Sequence, residues 1–373
     1  MSPTLSPSRP GQLVRRALAS RLVDTLTAPH GIDRYLELID PLWTIHETRA
    51  RMVAVERQTD QTVTLTLQPN PSWDGFRAGQ HVVVGVEIHG TVHQRCFSLA
   101  GSPHRADGTL ELTVKANPTG RVSRHLVEHA QIGTVLRLSP ARGDFVLPEP
   151  DDRADHLVFV SGGSGITPVL SMLRTLVDEG HAGQVTFVHY ADRLDSVCYL
   201  DDLRRLTAAL PDGRLLLGLT ENPAGTDLIG FFDPDHLAEV TDDPASCQVL
   251  LCGPAPLMAS VEQTFSGLGL ADRVLLERFG LPPVDPSVED ATAIVGFERS
   301  GLRAPAAGTV LETAEAAGLS PAFGCRRGIC GTCTTTKHSG VVRNAVTGVR
   351  SAADAEPIRL CVSVPCAEVV IDL

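Results

Sequence analysis

Four cysteines near the C-terminus have side chains and spacing suited to one-electron chemistry. Cys325, Cys330 and Cys333 follow the pattern C-x4-C-x2-C, and Cys361 comes 28 positions later. Three thiolates from one loop and one from a distant segment form a ligand set for a [2Fe–2S] cluster. Glycines in the same loop would let backbone N–H groups approach the sulfurs. The spacing therefore predicts an iron–sulfur centre with these four cysteines as metal ligands.

Zinc binding and disulfide formation are the alternative uses of these thiols. A structural zinc site usually has two close ligand pairs, whereas here three cysteines fall within nine residues and the fourth is solitary. Nine cysteines in 373 residues, an odd number, are too sparse for a disulfide framework. Cys366 is the alternative to Cys361 as fourth ligand. Cys96, Cys198 and Cys247 are expected to be small buried apolar side chains.

Two stretches in the middle of the chain have the composition of a dinucleotide site. A glycine-rich loop at 161–167 follows one predicted strand and precedes a predicted helix. Glycines let a pyrophosphate approach the backbone, and the N-terminus of the next helix attracts anions. Cys252-Gly253-Pro254 follows a later strand, at the carboxyl edge of the sheet where ligands bind.

Two earlier stretches could bind an anion and a flat ring. Arg95-Cys96-Phe97-Ser98 offers a guanidinium, an aromatic ring and a hydroxyl within four positions. Gly120-Arg121-Val122-Ser123 begins a predicted helix, whose free N–H groups and dipole favour a phosphate. A simple N-cap is the alternative for the second stretch. The occurrence of both stretches in one chain favours a ligand site.

The periodicity of apolar residues predicts a multidomain fold that positions these stretches. From about Arg51 apolar residues alternate with a period of two, which predicts an antiparallel barrel or sandwich. From His156 short apolar strands alternate with helical stretches, the pattern of a doubly wound α/β sheet. The predicted divisions are an N-terminal helical extension at 1–45, a β-barrel domain at 46–150, an α/β domain at 151–280, a proline-rich linker at 281–290 and a C-terminal domain at 291–373.

Composition and charge limit the classes of partner. The net charge of −12 argues against nucleic acid. No run reaches the roughly 18 apolar residues that a membrane span needs, so a cytoplasmic location is expected. The first 21 residues contain four arginines and no acid. A basic amphipathic helix there could make peripheral contact with an anionic membrane surface.

The motifs together resemble a known family. Residues 46–280 resemble the ferredoxin–NADP reductase family, and residues 290–373 resemble a plant-type ferredoxin, which has a β-grasp fold. Single-chain reductases of this organisation pass electrons to oxygenases and desaturases. The resemblance implies flavin contacts from Arg95, Phe97, Ser98, Lys115, Gly120, Val122 and Ser123, nucleotide contacts from Gly162, Gly163, Gly165, Thr167, Arg193, Gly253 and Pro254, and roles in hydride transfer for Ser98, Cys252, Glu277 and Phe279. Phe97 and Phe279 stand where relatives often have tyrosine.

The resemblance also implies the cofactors. The Gly-Arg-Val-Ser helix start resembles members that bind FAD rather than FMN. Arg193 could pair with the 2′-phosphate of NADPH, whereas Asp192 could bind the ribose hydroxyls of NADH. We expect FAD, a [2Fe–2S] cluster and NADPH, with NADH as the alternative nucleotide.

The N-terminal extension bears on the electron acceptor. Residues 35–43 resemble the corresponding segment of reductases partnered with membrane fatty-acyl desaturases, which makes a desaturase the expected acceptor. The alternative is the reductase component of a soluble ring-hydroxylating, di-iron or haem monooxygenase system. A redox-sensing regulator with the same fold is a third class, disfavoured because no DNA-binding or signalling segment is recognisable.

Overall fold

The computed structural model describes residues 21–118, 120–221, 226–280 and 293–373. The basic residues before position 21 and the predicted linker lie outside the described residues. At the start of the described chain are two short helices, α1 (Arg21–Leu26) and α2 (Ile32–Leu36). Asp33 accepts hydrogen bonds from the N–H groups of Ile45 and His46 at 2.6 and 3.0 Å. The extension is therefore held against the chain that enters the first sheet.

The first sheet is an antiparallel barrel. Its strands lie in the order β4-β3-β6-β1-β2-β5, and an isolated bridge between Leu99 and Leu112 joins the two edges. Inward-facing side chains such as Leu65 and Val84 are fully buried, as expected for alternating strands around a core. One helix packs on the barrel. The elements are β1 (Thr48–Thr59), β2 (Thr62–Pro69), β3 (His81–Ile88), β4 (Thr91–Ser98), β5 (Leu110–Lys115), α3 (Arg121–His129) and β6 (Val135–Leu138).

The second sheet is parallel and doubly wound. Its order is β10-β9-β8-β7-β11-β12, so the chain leaves β7 in one direction and later returns to its other side. This reversal creates a crevice at the carboxyl end of β7, where ligands bind in such sheets. The elements are β7 (His156–Gly162), α4 (Ile166–Asp178), β8 (Gln184–Ala191), α5 (Leu200–Ala209), β9 (Asp212–Leu219), β10 (Leu228–Ile229), α6 (Pro234–Val240), β11 (Cys247–Cys252), α7 (Ala255–Gly267) and β12 (Val274–Glu277).

The C-terminal domain has a mixed five-stranded sheet, β14-β13-β20-β15-β18, and a small sheet, β17-β16-β19. A helix packs on this β-grasp core, and a capping box between Thr309 and Glu312 begins it. The elements are β13 (Ile294–Phe297), β14 (Leu302–Pro305), α8 (Val310–Ala316), β15 (Thr334–Ser339), β16 (Val342–Asn344), β17 (Arg350–Ser351), β18 (Glu356–Arg359), β19 (Ser363–Pro365) and β20 (Val369–Ile371). None of the helices in the described ranges is long and apolar enough to cross a membrane.

Candidate functional site

A cavity of about 270 Å³ lies where the three domains meet. The barrel, the parallel sheet and the C-terminal domain all contribute to its wall. Arg327 and Cys325 enter from the C-terminal domain, and Phe279 closes one side. The cavity also has these predicted ligand residues in its wall: Arg95, Phe97, Ser98, Lys115, Ser123 and Thr167. The fold thus gathers residues from distant stretches into one space.

Two further cavities adjoin the first through shared residues. One, of about 450 Å³, is lined by Gly163, Thr167, Lys115 and Arg193. The other, of about 370 Å³, has Phe279 and Lys115 in its wall, together with Gly162, Gly163, Gly165, Gly253 and Pro254. Both lie at the carboxyl end of β7, beside the N-terminus of the 13-residue helix α4. The predicted dinucleotide residues therefore surround a continuous crevice.

Gly165 shows why this loop is glycine-rich. A Cβ added there would lie 2.1 Å from the backbone oxygen of Cys252 and 2.7 Å from the nitrogen of Gly253. The absence of a side chain brings the start of α4 against the end of β11. This close approach brings the two predicted nucleotide stretches to the same crevice.

Two residues with predicted roles in hydride transfer have buried polar atoms. Ser98 Oγ and Glu277 Oε2 are buried and find no hydrogen-bond partner in the described part of the chain. Buried polar groups are normally paired, so these atoms fit a site whose ligand would satisfy them. The other carboxylate oxygen, Glu277 Oε1, lies 3.2 Å from His81 Nδ1 and 3.3 Å from Arg327 Nη2. Burial and the nearby Glu277 raise the pKa of Cys252 well above its ordinary value.

The four predicted cluster cysteines fall into two pairs. Cys333 Sγ and Cys361 Sγ are 3.3 Å apart. Cys325 and Cys330 exchange hydrogen bonds, each backbone N–H donating to the other sulfur at 3.2 and 3.4 Å. Among the described residues no set of three ligands fits a single metal ion. Two cysteine pairs fit a cluster of two irons, each iron needing two protein sulfurs.

Hydrogen bonds favour the thiolate form of Cys325 and Cys333. Hydrogen bonds, above all from the Cys96 thiol, lower the pKa of Cys325. The hydrogen bond between Cys333 and Cys361 lowers the pKa of Cys333 and raises that of Cys361, because one of the two sulfurs donates to the other. Thiolate is the form that ligates metal, so Cys325 and Cys333 are chemically suited to iron. Cys366 Sγ lies against Val364 O at 3.8 Å, apart from these contacts.

The cluster loop, residues 324–333, docks directly on the other two domains. Arg95 Nη1 donates to Gly324 O at 2.8 Å. Arg327 Nη2 donates to Arg278 O at 2.7 Å, and its guanidinium carbon lies 5.7 Å from the centre of the Phe279 ring. The predicted iron site therefore lies against the cavity lined by Phe97, Ser98 and Phe279.

Comparison with known proteins agrees with this three-part arrangement. The oxidoreductase FAD-binding domain family matches residues 51–147, and the oxidoreductase NAD-binding domain family matches residues 159–263. The 2Fe-2S iron-sulfur cluster binding domain family matches residues 298–366. An NADPH oxidoreductase of Mycobacterium tuberculosis is 34% identical over 370 residues, covering 98% of this chain and 93% of its own. The chain belongs to the ferredoxin–NADP reductase family.

Two further comparisons describe reductases of oxygenase systems. The ferredoxin reductase component of a 3-ketosteroid-9-alpha-monooxygenase from Mycobacterium tuberculosis is 34% identical over 297 residues, covering 75% of this reductase and 80% of the relative. The solved structure of phthalate dioxygenase reductase aligns with a TM-score of 0.58 and 26% identity, covering 87% of this reductase and 97% of that chain. The reductase is thus a flavin- and nicotinamide-dependent oxidoreductase with a C-terminal [2Fe–2S] domain.

Some residues of the reductase lie apart from the predicted arrangement or have partners that were not predicted. The Val122 side chain is buried in the barrel core, and Gly120 lines a separate surface cavity near His125. Only their backbones could take part in a flavin site. Arg95 was predicted to contact the flavin cofactor, and its guanidinium also donates a hydrogen bond to Gly324 O of the cluster loop. The expectation that Cys96 and Cys198 are simply buried apolar side chains is wrong, because both are half-buried and line cavities. Cys96 lines the central cavity, as Cys325 does, and Cys198 lines the cavity of about 450 Å³.

Proposed function

We propose that the reductase takes a hydride from NADPH and releases its two electrons singly, through FAD and the [2Fe–2S] cluster, to an oxygen-activating enzyme. FAD, when bound, supplies the conversion between two-electron and one-electron transfer. The observation that carries the proposal is the shared wall of the central cavity. Phe97 and Ser98 of the barrel, Phe279 of the α/β domain and Cys325 of the cluster loop all line it.

The residues at the cavity have distinct parts in this proposal. The rings of Phe97 and Phe279 would hold the flat isoalloxazine, and Ser98 Oγ would hydrogen-bond it. Lys115 and Ser123 would hold polar parts of the FAD. Cys252 and Glu277 would form the floor of the nicotinamide pocket, where their burial keeps water away. These residues would favour hydride transfer chiefly through geometry, because they would hold the two reacting rings in one orientation.

The cluster ligands in this proposal are the two cysteine pairs. Cys325 and Cys330 would hold one iron, and Cys333 and Cys361 the other. Backbone N–H groups of the loop donate to the sulfurs, as Gly328 does to Cys361 Sγ at 3.2 Å. Such donors stabilise the negative charge that accumulates on reduction.

Nucleotide binding in this proposal depends on Gly165. We expect Gly165→Ala to raise the KM for NADPH by about tenfold or more, because overpacking costs about 1–3 kcal/mol. The new methyl group would meet the backbone of Cys252 and Gly253, which cannot move aside cheaply. Steady-state kinetics with ferricyanide measures the change. Gly267→Ala, where an added Cβ has open space, is the matched control. Equal KM values in the two variants would refute this role of Gly165.

Arg193 is our candidate for the choice of NADPH over NADH. Its side chain is exposed and pairs with Asp195 at 3.0 Å, an ion pair that a phosphate could replace because solvent and salt weaken exposed pairs. A charge-assisted hydrogen bond to the 2′-phosphate would be lost with the guanidinium, so we expect Arg193→Ala to raise the KM for NADPH roughly tenfold. The KM for NADH is the internal control. An equal change in the KM values for NADPH and NADH would show that Arg193 does not bind the 2′-phosphate.

For the acceptor we propose an oxygenase that receives single electrons, in line with the names of two relatives. This is the alternative stated from the sequence, and nothing in the comparisons supports the expected fatty-acyl desaturase or contact with a membrane. One observation keeps a desaturase as the second candidate. Leu38, Ile39 and Trp43 of the N-terminal extension expose 72, 71 and 52% of their surface, an apolar strip that could meet a partner or a lipid surface.

Reconstitution distinguishes the two acceptors. The full-length reductase and NADPH would be combined separately with a purified oxygenase and with a desaturase in vesicles from the same source, and product formation would be measured. We expect product with the oxygenase, unchanged when residues 1–30 are deleted. Product with the desaturase alone, lost on that deletion, would establish the second candidate. Product with neither, despite a loaded cluster, would refute the proposed class of acceptor.

A further inference from the structure

Tyr199 lies where the α/β domain contacts the barrel. It is buried, and its hydroxyl group hydrogen-bonds the hydroxyl groups of Thr64 and Thr113. These two threonines are directly opposite each other on strands β2 and β5. Burial raises the pKa of Tyr199 to about 12, so its hydroxyl stays protonated and can donate to one threonine while it accepts from the other. The Tyr199 hydroxyl is therefore held between two barrel strands.

The ring and the backbone of Tyr199 are also constrained. The guanidinium carbon of Arg174 lies 5.2 Å from the centre of the Tyr199 ring, and Arg174 Nη1 donates to Ala100 O of the barrel at 2.9 Å. The φ angle of Tyr199 is 61°, a left-handed conformation that is strained for a bulky residue. Such a conformation persists only where the surrounding contacts enforce it. The fold thus maintains a strained backbone where this part of the α/β domain meets the barrel.

Tyr199 directly follows a segment that lines the larger nucleotide cavity. Residues 192–198, which we call the nucleotide loop, contribute to the wall of the cavity of about 450 Å³ through Asp192, Arg193, Asp195, Ser196 and Cys198. The barrel contributes residues 59–62 and Thr113 to the same wall. Thr113 also lines the central cavity. One partner of the Tyr199 hydroxyl is therefore itself part of the wall that faces the nucleotide loop's cavity.

We propose that the Tyr199 hydroxyl holds the nucleotide loop in place against the barrel and thereby positions Arg193 for the 2′-phosphate of NADPH. The inference rests on the proposed function and deepens it, because it concerns the choice between NADPH and NADH. Tyr199 is a positioning residue, since it acts through the loop that precedes it.

Hydrogen bonds within the nucleotide loop would transmit a shift at Tyr199 to Arg193. Arg193 N donates to Ser196 Oγ at 3.2 Å, and Ser196 Oγ donates to Arg193 O at 2.7 Å. Val197 N donates to Leu194 O at 3.2 Å. These bonds make the turn move as one piece. A charge-assisted hydrogen bond to a phosphate depends on the position of the donor, so a shift would weaken binding of NADPH more than that of NADH, which lacks this phosphate.

The test is equilibrium binding of NADP⁺ and of NAD⁺ to the full-length oxidised protein, measured by isothermal titration calorimetry. Tyr199→Phe removes the hydroxyl and retains the ring. We expect the Kd for NADP⁺ to rise about three- to tenfold, the effect of a lost hydrogen bond, and the Kd for NAD⁺ to change less than about twofold. In steady-state kinetics the KM for NADPH should rise while kcat stays within about twofold of wild type.

Tyr190→Phe is the matched control. It also removes a buried tyrosine hydroxyl, whose partner is His236 Nδ1 at 2.9 Å within the α/β domain. The loss of that bond should cost stability in a similar way, but it leaves the contact between the nucleotide loop and the barrel intact. The ratio of the two Kd values should therefore equal that of the wild type.

Thr64→Val tests the same contact from the barrel side, and it carries the test if Tyr199→Phe does not fold. It should also weaken NADP⁺ binding selectively, and the double variant should lose less than the two single losses combined, because both act through one contact. Equal changes in the Kd for NADP⁺ and NAD⁺, or the same selective change in Tyr190→Phe, would overturn the role of Tyr199. A wild-type protein that binds neither nucleotide would instead overturn the proposed function.

Discussion

Replacement of Cys333 by serine is expected to remove the iron–sulfur cluster and spare reduction of the flavin. The visible absorption between about 400 and 550 nm that the cluster contributes should disappear, and electron delivery to the proposed oxygenase acceptor should fall below roughly one hundredth of wild type. Cys333 is buried and its sulfur lies 3.3 Å from that of Cys361, so its replacement would remove one of the two protein sulfurs of this pair. A serine oxygen is a shorter and harder ligand than a thiolate.

Spectra recorded during anaerobic addition of NADPH measure both effects at once. Flavin bleaching should proceed at the wild-type rate, because its predicted ligands lie mostly in the other two domains. Cys366→Ser is the matched control and should retain the full cluster spectrum. If Cys333→Ser also lost flavin reduction, the separation of roles between domains would be wrong. If Cys366→Ser lost the cluster, Cys366 would be the fourth ligand.

Arg327→Ala should slow electron transfer from the flavin to the cluster at least about tenfold. Arg327 joins the cluster loop to Glu277, to Arg278 O and to the Phe279 ring. Removal of one partner of a buried ion pair costs about 3–5 kcal/mol, because the remaining charge stays buried. Glu277 is only 8% exposed. Without Arg327 its buried carboxylate would lose this partner, which would destabilise the contact between the cluster loop and the α/β domain. Flavin reduction by NADPH precedes this step and should change less.

Stopped-flow spectroscopy resolves the two steps by their different absorption. The matched control is Arg326→Ala in the same loop. Arg326 pairs with Glu315 at 3.0 Å and packs on Phe323 at 4.0 Å, both within the C-terminal domain. Its removal should leave the rate within about twofold of wild type. Equal rates in the Arg327 and Arg326 variants would show that the Arg327 contacts do not govern docking.

The local motifs could be predicted from sequence because each requires particular residues at short spacing. The cysteine loop and the glycine-rich loop are of this kind, and the change from period-two alternation to alternating strands and helices predicted the barrel and the parallel sheet. The division of the chain into domains at particular residues remains a prediction.

The contacts between domains could not be predicted in this way. Arg95 and Gly324 are 229 positions apart, and Arg327 and Glu277 are 50 apart. No periodicity or spacing links such residues, because they meet only after three domains have folded and docked. For the same reason Cys96 could not be distinguished from a buried apolar side chain. Recognition of a protein acceptor would depend on a folded surface rather than on a short motif, so the proposed oxygenase acceptor rests on the names of relatives.

The most direct measurement of the central claim is an anaerobic titration of the purified protein with NADPH, followed by absorption and electron paramagnetic resonance. We expect a yellow protein with two irons and two inorganic sulfides per chain, from the [2Fe–2S] stoichiometry. Sub-stoichiometric NADPH should bleach the flavin and produce the signal of a singly reduced cluster. A protein with no flavin and no inorganic sulfide, or one whose flavin is reduced while the cluster stays oxidised, would contradict the account.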